Sequence, residues 1–389
     1  MKKWSIVVTI LFVLSIFFIF DDEDQRKMKK NIEERAVYFS YIEFNKYIAN
    51  KSEEEQKTNI KKVLDNIKEL DFNTIIVHVR AFSDAIYKSK YYPYSEYINN
   101  DKGETPSYDV LDYFISESHK RDISFEAWVN PYRISNSKDE SSLNSRVIYD
   151  KYQAGVTEKG IYLNPASSEV RTLIVNGIVE IVKNYDVDGV HFDDYFYPDK
   201  EIDLKLYDEY KKDGGKLTID EYRYNNVNIL IKEVYNAIKK VDKKVLFGIA
   251  PEGNLDNCYE YSYLDVKEIL SKPGYVDYIM PQIYYGFDNE TRPFKDTVKQ
   301  WNNLIKVDTI KLIPALAFYK VGTFDKYALS GSNEWMNEDD IIAREIKFSR
   351  SLSHYGGFSL FSYNYMFNSE YKNNTSDKEL SNIKKVILE

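Results

Sequence analysis

Hydrophobic and polar positions along this chain fall into two alternating regimes. Short apolar runs, rich in β-branched and aromatic residues, occur at 35–42, 73–80, 123–130, 187–194, 244–250, 276–283, 311–319 and 356–363. Many are introduced by Asp, Lys or Gly, and their length and composition predict buried strands. Stretches with helical periodicity separate them, at 53–70, 107–121, 168–185, 220–240, 260–271, 294–306 and 337–352, with a last one near 377–388. Thr105-Pro106-Ser107 and Asn164-Pro165-Ala166 read as helix entry points.

A strand followed by a helix, repeated through the chain, predicts an α/β fold, a (β/α)8 TIM barrel. A doubly wound open sheet would place a glycine-rich turn after its first strand, and 43–51 contains no glycine. The long connections are expected after strands two (81–105), three (131–166), four (195–217) and seven (320–335). All four lead from a strand into a helix, and such connections gather at the C-terminal face where barrel active sites are built. One catalytic barrel over 35–389 accounts for the pattern without a second domain.

The first twenty residues stand apart from that pattern. Lys2 and Lys3 precede an apolar run over 4–20, which ends abruptly at Asp21, Asp22, Glu23 and Asp24. This is the charge polarity of an exported chain. Residues 1–20 read as a signal-anchor or uncleaved signal, with a cleaved signal peptide as the alternative, and 21–34 as a charged tether. The barrel is therefore expected outside the cytoplasm, secreted or anchored to the membrane by that segment only. A net charge of −9 argues against nucleic acid as a partner. The lone cysteine, Cys258, excludes an internal disulfide and a CxxC metal motif. No cofactor is expected.

Alternation along each strand sorts its side chains onto two faces. In 123–130, Phe125, Ala127 and Val129 suit the helix layer, which turns Ser124, Glu126, Trp128 and Asn130 inward. In 187–194, Val190 and Phe192 face the helices, and Gly189, His191 and Asp193 face inward. The same rule offers His78 and Arg80 from strand two, Ala250 and Glu252 from strand five, and Gln282 and Tyr284 from strand six. Polar side chains thus converge on the mouth, and so many buried polar groups need partners or a function.

Two inward carboxyls on neighbouring strands suit glycoside hydrolysis, in which one protonates the leaving oxygen and the other attacks or activates water. Glu126, beside Trp128, is expected to be desolvated and to act as the acid, with Asp193 as nucleophile or base. Asp194 falls on the opposite face and is expected to order the following loop. Tyr132, Tyr195 and Tyr284 lie near the strand tips, where aromatic rings can pack on sugar faces. Arg80, Arg133 and His191 are expected to bond substrate or hold the carboxyls. His78, His191 and Asp193 together make only a weak case for a metal, so none is expected.

These residues carry a resemblance. RAVYFSYI (35–42), VHVRAFSDAIYKSKYYPYSEY (77–97), FEAWVNPYR (125–133), YLNPASSEVR (162–171), DGVHFDDYFYP (188–198), FGIAPEGN (247–254), DYIMPQIYY (277–285) and GGFSLFSY (356–363) follow one another in the order of the bacterial glycosyl hydrolase-like 10 family, relatives of the barrel glycosidases, which the chain resembles. The resemblance implies cleavage of glycan strands, with peptidoglycan of the cell wall as the best candidate. It points to Glu126, Asn130, Arg133, Asp193 and Asp194. DGVHFDD is also similar to the DGxxxDxE strand of chitinase-type barrels, but Tyr195 occupies the place of their acid, so their substrate-assisted mechanism does not transfer. Glu252 stands where many relatives are expected to have a neutral residue, and it competes with Glu126 for the acid role. Two rival readings remain: a glycan-binding barrel without catalysis, and a metal-dependent hydrolase or deacetylase using His78, His191 and Asp193.

Overall fold

The computed structural model describes residues 33–99, 105–193 and 196–389. The proposed signal segment, the tether up to residue 32, Asp194 and Tyr195 lie outside the described residues. Eight parallel strands form the central sheet. They are β1 (Glu34–Phe39), β2 (Thr74–Arg80), β3 (Ser124–Val129), β4 (Gly189–Phe192), β5 (Leu246–Ile249), β6 (Tyr278–Ile279), β7 (Lys311–Leu312 and Ala315–Leu316) and β8 (Gly357–Leu360). Each pairs with the next in chain order from β1 to β6, and β8 returns to β1.

Strand β7 closes the ring although Pro314 splits it. Its first half pairs with β6 and its second half with β8. Proline has no N–H to give, so the ladder continues through its neighbours. Ile313 N donates to Ile279 O at 2.9 Å, Ala315 N donates to Pro281 O at 3.0 Å, and Pro314 O accepts from Ser359 N at 3.1 Å. The sheet is therefore a closed barrel, as the strand count predicts.

The outer helices are α1 (Glu53–Glu69), α2 (Val110–His119), α3 (Ser168–Asn184), α4 (Ile219–Val241), α5 (Val266–Ser271), α6 (Phe294–Leu304), α7 (Ile341–Ser349) and α8 (Asn374–Leu388). Capping boxes fix the starts of α1 (Ser52 with Glu55) and α4 (Thr218 with Glu221). The helix expected over 260–271 is broken: a short helix ends at Glu260, Tyr263 turns left-handed (φ 46°), and α5 starts afresh. The long connection after β3 holds a small antiparallel sheet of Arg133–Ser135, Gly155–Thr157 and Gly160–Tyr162.

Two apolar layers follow from the alternation. Val37, Val77, Phe125, Val190 and Phe247 pack outward against the helices. Ala36, Tyr38, Ile76, Trp128, Ala250, Tyr278 and Met280 pack inside the barrel. Glycine makes room for the larger inner side chains. A Cβ on Gly248 would stand 1.9 Å from the Tyr278 ring, and one on Gly189 would stand 2.9 Å from the Glu126 carboxylate.

Candidate active site

The inward polar residues lie at two heights. The lower level is a closed chain of hydrogen bonds across the barrel. Tyr278 donates its hydroxyl to Glu126 Oε2, His191 Nδ1 lies 2.9 Å from Tyr278 Oη, and Tyr38 Oη lies 2.9 Å from His191 Nε2. One arrangement of protons satisfies all three bonds: Tyr38 donates to Nε2, His191 Nδ1–H donates to Tyr278, and Tyr278 donates to Glu126. Burial holds the imidazole neutral, with its pKa pushed down to about 3. Burial also pushes the Glu126 carboxyl up to about 7, against the opposing bond from Tyr278. The carboxyl of Glu34, at the start of β1, is raised by burial and by the charge of Glu126.

This corrects the expected place of Glu126. The residue faces inward as alternation requires, but Trp128 and Asn130 stand between it and the C-terminal mouth, and only 2% of its surface is exposed. It belongs to the floor of the barrel with Glu34. His191 likewise has both ring nitrogens occupied by tyrosine hydroxyls, so it offers no lone pair to a metal. Among the described residues no cluster suited to holding a metal ion is found.

The upper level opens to solvent. Asp193 follows the end of β4, and its Oδ1 accepts from Gln282 Nε2 at 2.7 Å. Gln282 is tied to strand five by its backbone N–H to Pro251 O (2.9 Å) and its amide to Ala250 O (3.2 Å). The hydroxyls of Tyr38 and Tyr284 are pushed well above the usual phenol range by burial and next by the charge of Asp193, which sets the carboxylate beside both. Glu252 stands one step further round, and its Oε2 accepts from Asn257 Nδ2 at 2.5 Å. Glu252, Gln282 and Tyr284 line a cavity of about 280 Å³ together with Tyr285, Arg292 and Tyr319. Asp193 and Glu252 are thus carboxyls at the tips of adjacent strands, joined through Gln282.

The β2–β3 side of the mouth carries a second set. The His78 imidazole stacks flat on Trp128, with ring centres 3.7 Å apart and planes 7° from parallel. Burial and then the charge of Arg133 hold its pKa well below the usual histidine value. Both His78 nitrogens, Trp128 Nε1 and Asn130 Oδ1 are buried, and the Asn130 side chain is a polar neighbour of the imidazole. Arg133 begins the small antiparallel sheet and lies 5.8 Å over the Phe82 ring.

Two other expectations fail, each for a local reason. The register of β2 against β3 slips between His78 and Arg80, so that Arg80 stands opposite Val129, a helix-facing residue. This bulge swings Arg80 into the helix layer, 4.4 Å over the Tyr92 ring and against Gly177 of α3. Tyr132 is buried in the outer core and does not line the mouth. Sequence reasoning missed Tyr38 and Tyr278, which extending the alternation along strands one and six would have found. It also missed Arg292, Tyr319 and the Lys320–Asp325 pair, which sit on loops where no period applies.

Known proteins share this architecture. The glycosyl hydrolase-like 10 family matches residues 33–336. The chain is 33% identical over 377 residues to glycosyl hydrolase YngK of Bacillus subtilis, covering 90% of this chain and 71% of that one. It is 31% identical over 332 residues to glycosyl hydrolase DigH of Escherichia coli K12, covering 78% and 74%. Among solved structures, the PgaB glycoside hydrolase domain from Bordetella bronchiseptica superposes with a TM-score of 0.58 at 13% identity, over 90% of this chain and 98% of that one. At that identity the likeness speaks for the fold alone.

Proposed function

The chain belongs to the glycosyl hydrolase-like 10 family and is a glycoside hydrolase, and from that premise we propose that it cleaves peptidoglycan glycan strands outside the cytoplasm with Asp193 and Glu252 as its carboxyl pair. The observation that carries this reading is the placement of those two carboxyls at adjacent strand tips, with Gln282 bonded by its amide to Asp193 and bridged by its backbone to Glu252, which lines the open cavity. Two carboxyls flanking the scissile bond suffice for the reaction. The Gln282 amide donates to Asp193 and orients its carboxyl at the mouth, which suits a nucleophile or base. Glu252 then delivers the proton to the leaving oxygen. Tyr284, on the cavity wall, offers a ring and a hydroxyl to the sugar. Glu126 acts from below by fixing His191 and Tyr278 under the site.

The apolar run over 4–20, with Lys2 and Lys3 before it and Asp21, Asp22, Glu23 and Asp24 after it, supports the extracytoplasmic placement. The test is digestion of purified peptidoglycan, with and without its stem peptides, by the chain starting at residue 33. Mass spectrometry of the products is expected to show sugar fragments that Asp193→Asn protein does not release. Protein retained on the glycan with no fragments from either form would replace hydrolysis with glycan binding.

A further inference from the structure

The cavity beside Glu252 contains a charge that the hydrolytic reading leaves unused. Lys320 is neutralised: its Nζ donates to Asp325 Oδ2 at 2.6 Å and to Tyr284 O at 2.8 Å, with Asp325 almost fully buried. Arg292, on the same cavity wall, is different. It is half-buried, and its guanidinium makes no hydrogen bond or ion pair among the described residues. Its neighbours do not serve it. Glu290 accepts from Ser330 N at 3.2 Å, and Glu252 is bonded to Asn257.

The turn that carries Arg292 is built to hold it still. Asn289, itself buried, accepts at Oδ1 from Arg292 N at 2.9 Å and from Thr291 N at 3.2 Å. The Glu334 carboxylate accepts from Phe287 N at 2.8 Å and Asp288 N at 3.0 Å. Pro293 fixes the next φ before α6 begins. A Cβ on Gly286 would stand 2.0 Å from the Glu334 carboxylate, so the loop passes Glu334 at glycine distance. The turn is therefore fixed, and the half-buried guanidinium that it carries onto the cavity wall is unpaired among the described residues. Its planar fork matches a carboxylate bidentately.

We propose that Arg292 is a specificity residue that binds a carboxylate borne by a sugar of the substrate, so that the enzyme prefers acidic glycans over neutral ones. This rests on the hydrolytic reading of the same cavity. A peptidoglycan strand offers such a group on its lactyl ether wherever no stem peptide is amide-linked to it, and a polyuronate offers one on the sugar ring. A neutral glycan leaves the guanidinium unpaired.

Three probes separate these cases: peptide-free peptidoglycan strands, the same strands with their carboxyls reduced to alcohols, and a polyuronate. Wild-type protein is compared with Arg292→Ala and Arg292→Lys, and both turnover and equilibrium binding are measured. Arg292→Ala is expected to raise KM and Kd for the peptide-free strands about tenfold or more, since hydrogen bonds between charged groups are the strong ones. Its kcat should stay within about threefold, lysine should recover part of the loss, and the reduced strands should be handled alike by all three proteins. An Arg292-dependent preference for the polyuronate would assign the carboxylate to a uronic acid. Equal effects of Arg292→Ala on native and reduced strands would overturn the proposal, as would an absence of binding by any of the proteins. Binding that depends on Arg292 without any cleavage would sink the hydrolytic reading and leave the carboxylate site standing.

Discussion

Asp193 and Glu126 are both inward-facing acids on neighbouring strands, yet their surroundings assign them different tasks. Asp193 reaches the open mouth and is held by an amide, whereas Glu126 is sealed under Trp128 and bonded by Tyr278. The burial of Glu126 has a consequence for stability. Its folded-state pKa, about 7, lies above the ordinary value of 4.5, so its contribution is complete below about pH 4.5 and is lost as pH rises through 7. Glu126→Gln is expected to flatten the fall in melting temperature between pH 5 and 8, and thermal melts across that range check it. A variant that keeps the wild-type slope would show that Glu126 does not titrate there. Alternation identified the inward faces of His78, Glu126, His191, Asp193 and Gln282 from the sequence. It did not reveal height along the barrel axis, which depends on strand stagger, so Glu126 read as a mouth residue. Nor could it reveal the bulge that turns Arg80 outward, since the alternation of Val77, His78, Val79 and Arg80 carries no mark of where the pairing slips.

The helices were legible from their period: α1 and α4 lie within a residue of the expected spans 53–70 and 220–240, and capping boxes at Ser52 and Thr218 fix their starts. Strands fared less evenly. Pro281 and Pro314 interrupt the regular ladders of β6 and β7, which the apolar runs alone do not show. Inside the sheet, Gly248 is the position with least tolerance. Gly248→Ala drives a methyl into the Tyr278 ring and is expected to cost about 1–3 kcal/mol or more, as overpacked cores do, with chemical denaturation as the check. Between α7 and α8, Glu345 and Glu379 are buried side by side. Both oxygens of Glu345 lack a partner among the described residues, while Glu379 accepts from Ala343 N at 2.9 Å. Burial, then the charge of Glu379, raises the Glu345 carboxyl well above its usual range, and burial pushes Glu379 up to about 7. The pair therefore holds the two helices together best when protonated, and its contribution fades as pH rises through 7. Glu345→Gln is expected to stabilise the protein at pH 8 by about 1 kcal/mol, and to have a smaller effect at pH 5. A loss of stability at pH 8 would contradict this.

At the scale of the whole barrel, β1 is where the first and last strands meet, paired with β2 on one side and β8 on the other. Glu33, just before it, is clamped by Arg350 at 2.8 and 2.9 Å and by the Tyr355 hydroxyl at 2.6 Å. A chain starting at residue 33 is expected to melt cooperatively, and one starting at residue 40 is expected not to fold; circular dichroism melts distinguish them. The eightfold βα repeat was readable because each buried strand is a compact apolar run between amphipathic helices. Which loops build the cavity was readable only in part. Length drew the eye to the connections after strands two, three, four and seven, and of these the last walls the cavity. The cavity is walled chiefly by the tips of β5 and β6 and by the loops after β6 and β7, where Arg292, Lys320 and Asp325 carry no periodic signal.

The central claim is that catalysis sits at the mouth, on Asp193 and Glu252, and not on the floor at Glu126. The most direct test is kcat on one peptidoglycan glycan substrate for Asp193→Asn, Glu252→Gln and Glu126→Gln proteins, each confirmed folded. The account predicts that the first two lose about 10²–10⁴-fold or more, the scale of an acid–base group, while Glu126→Gln stays within about tenfold of wild type. Glu126→Gln protein without activity beside an active Glu252→Gln protein would contradict the account and return the acid role to the barrel floor.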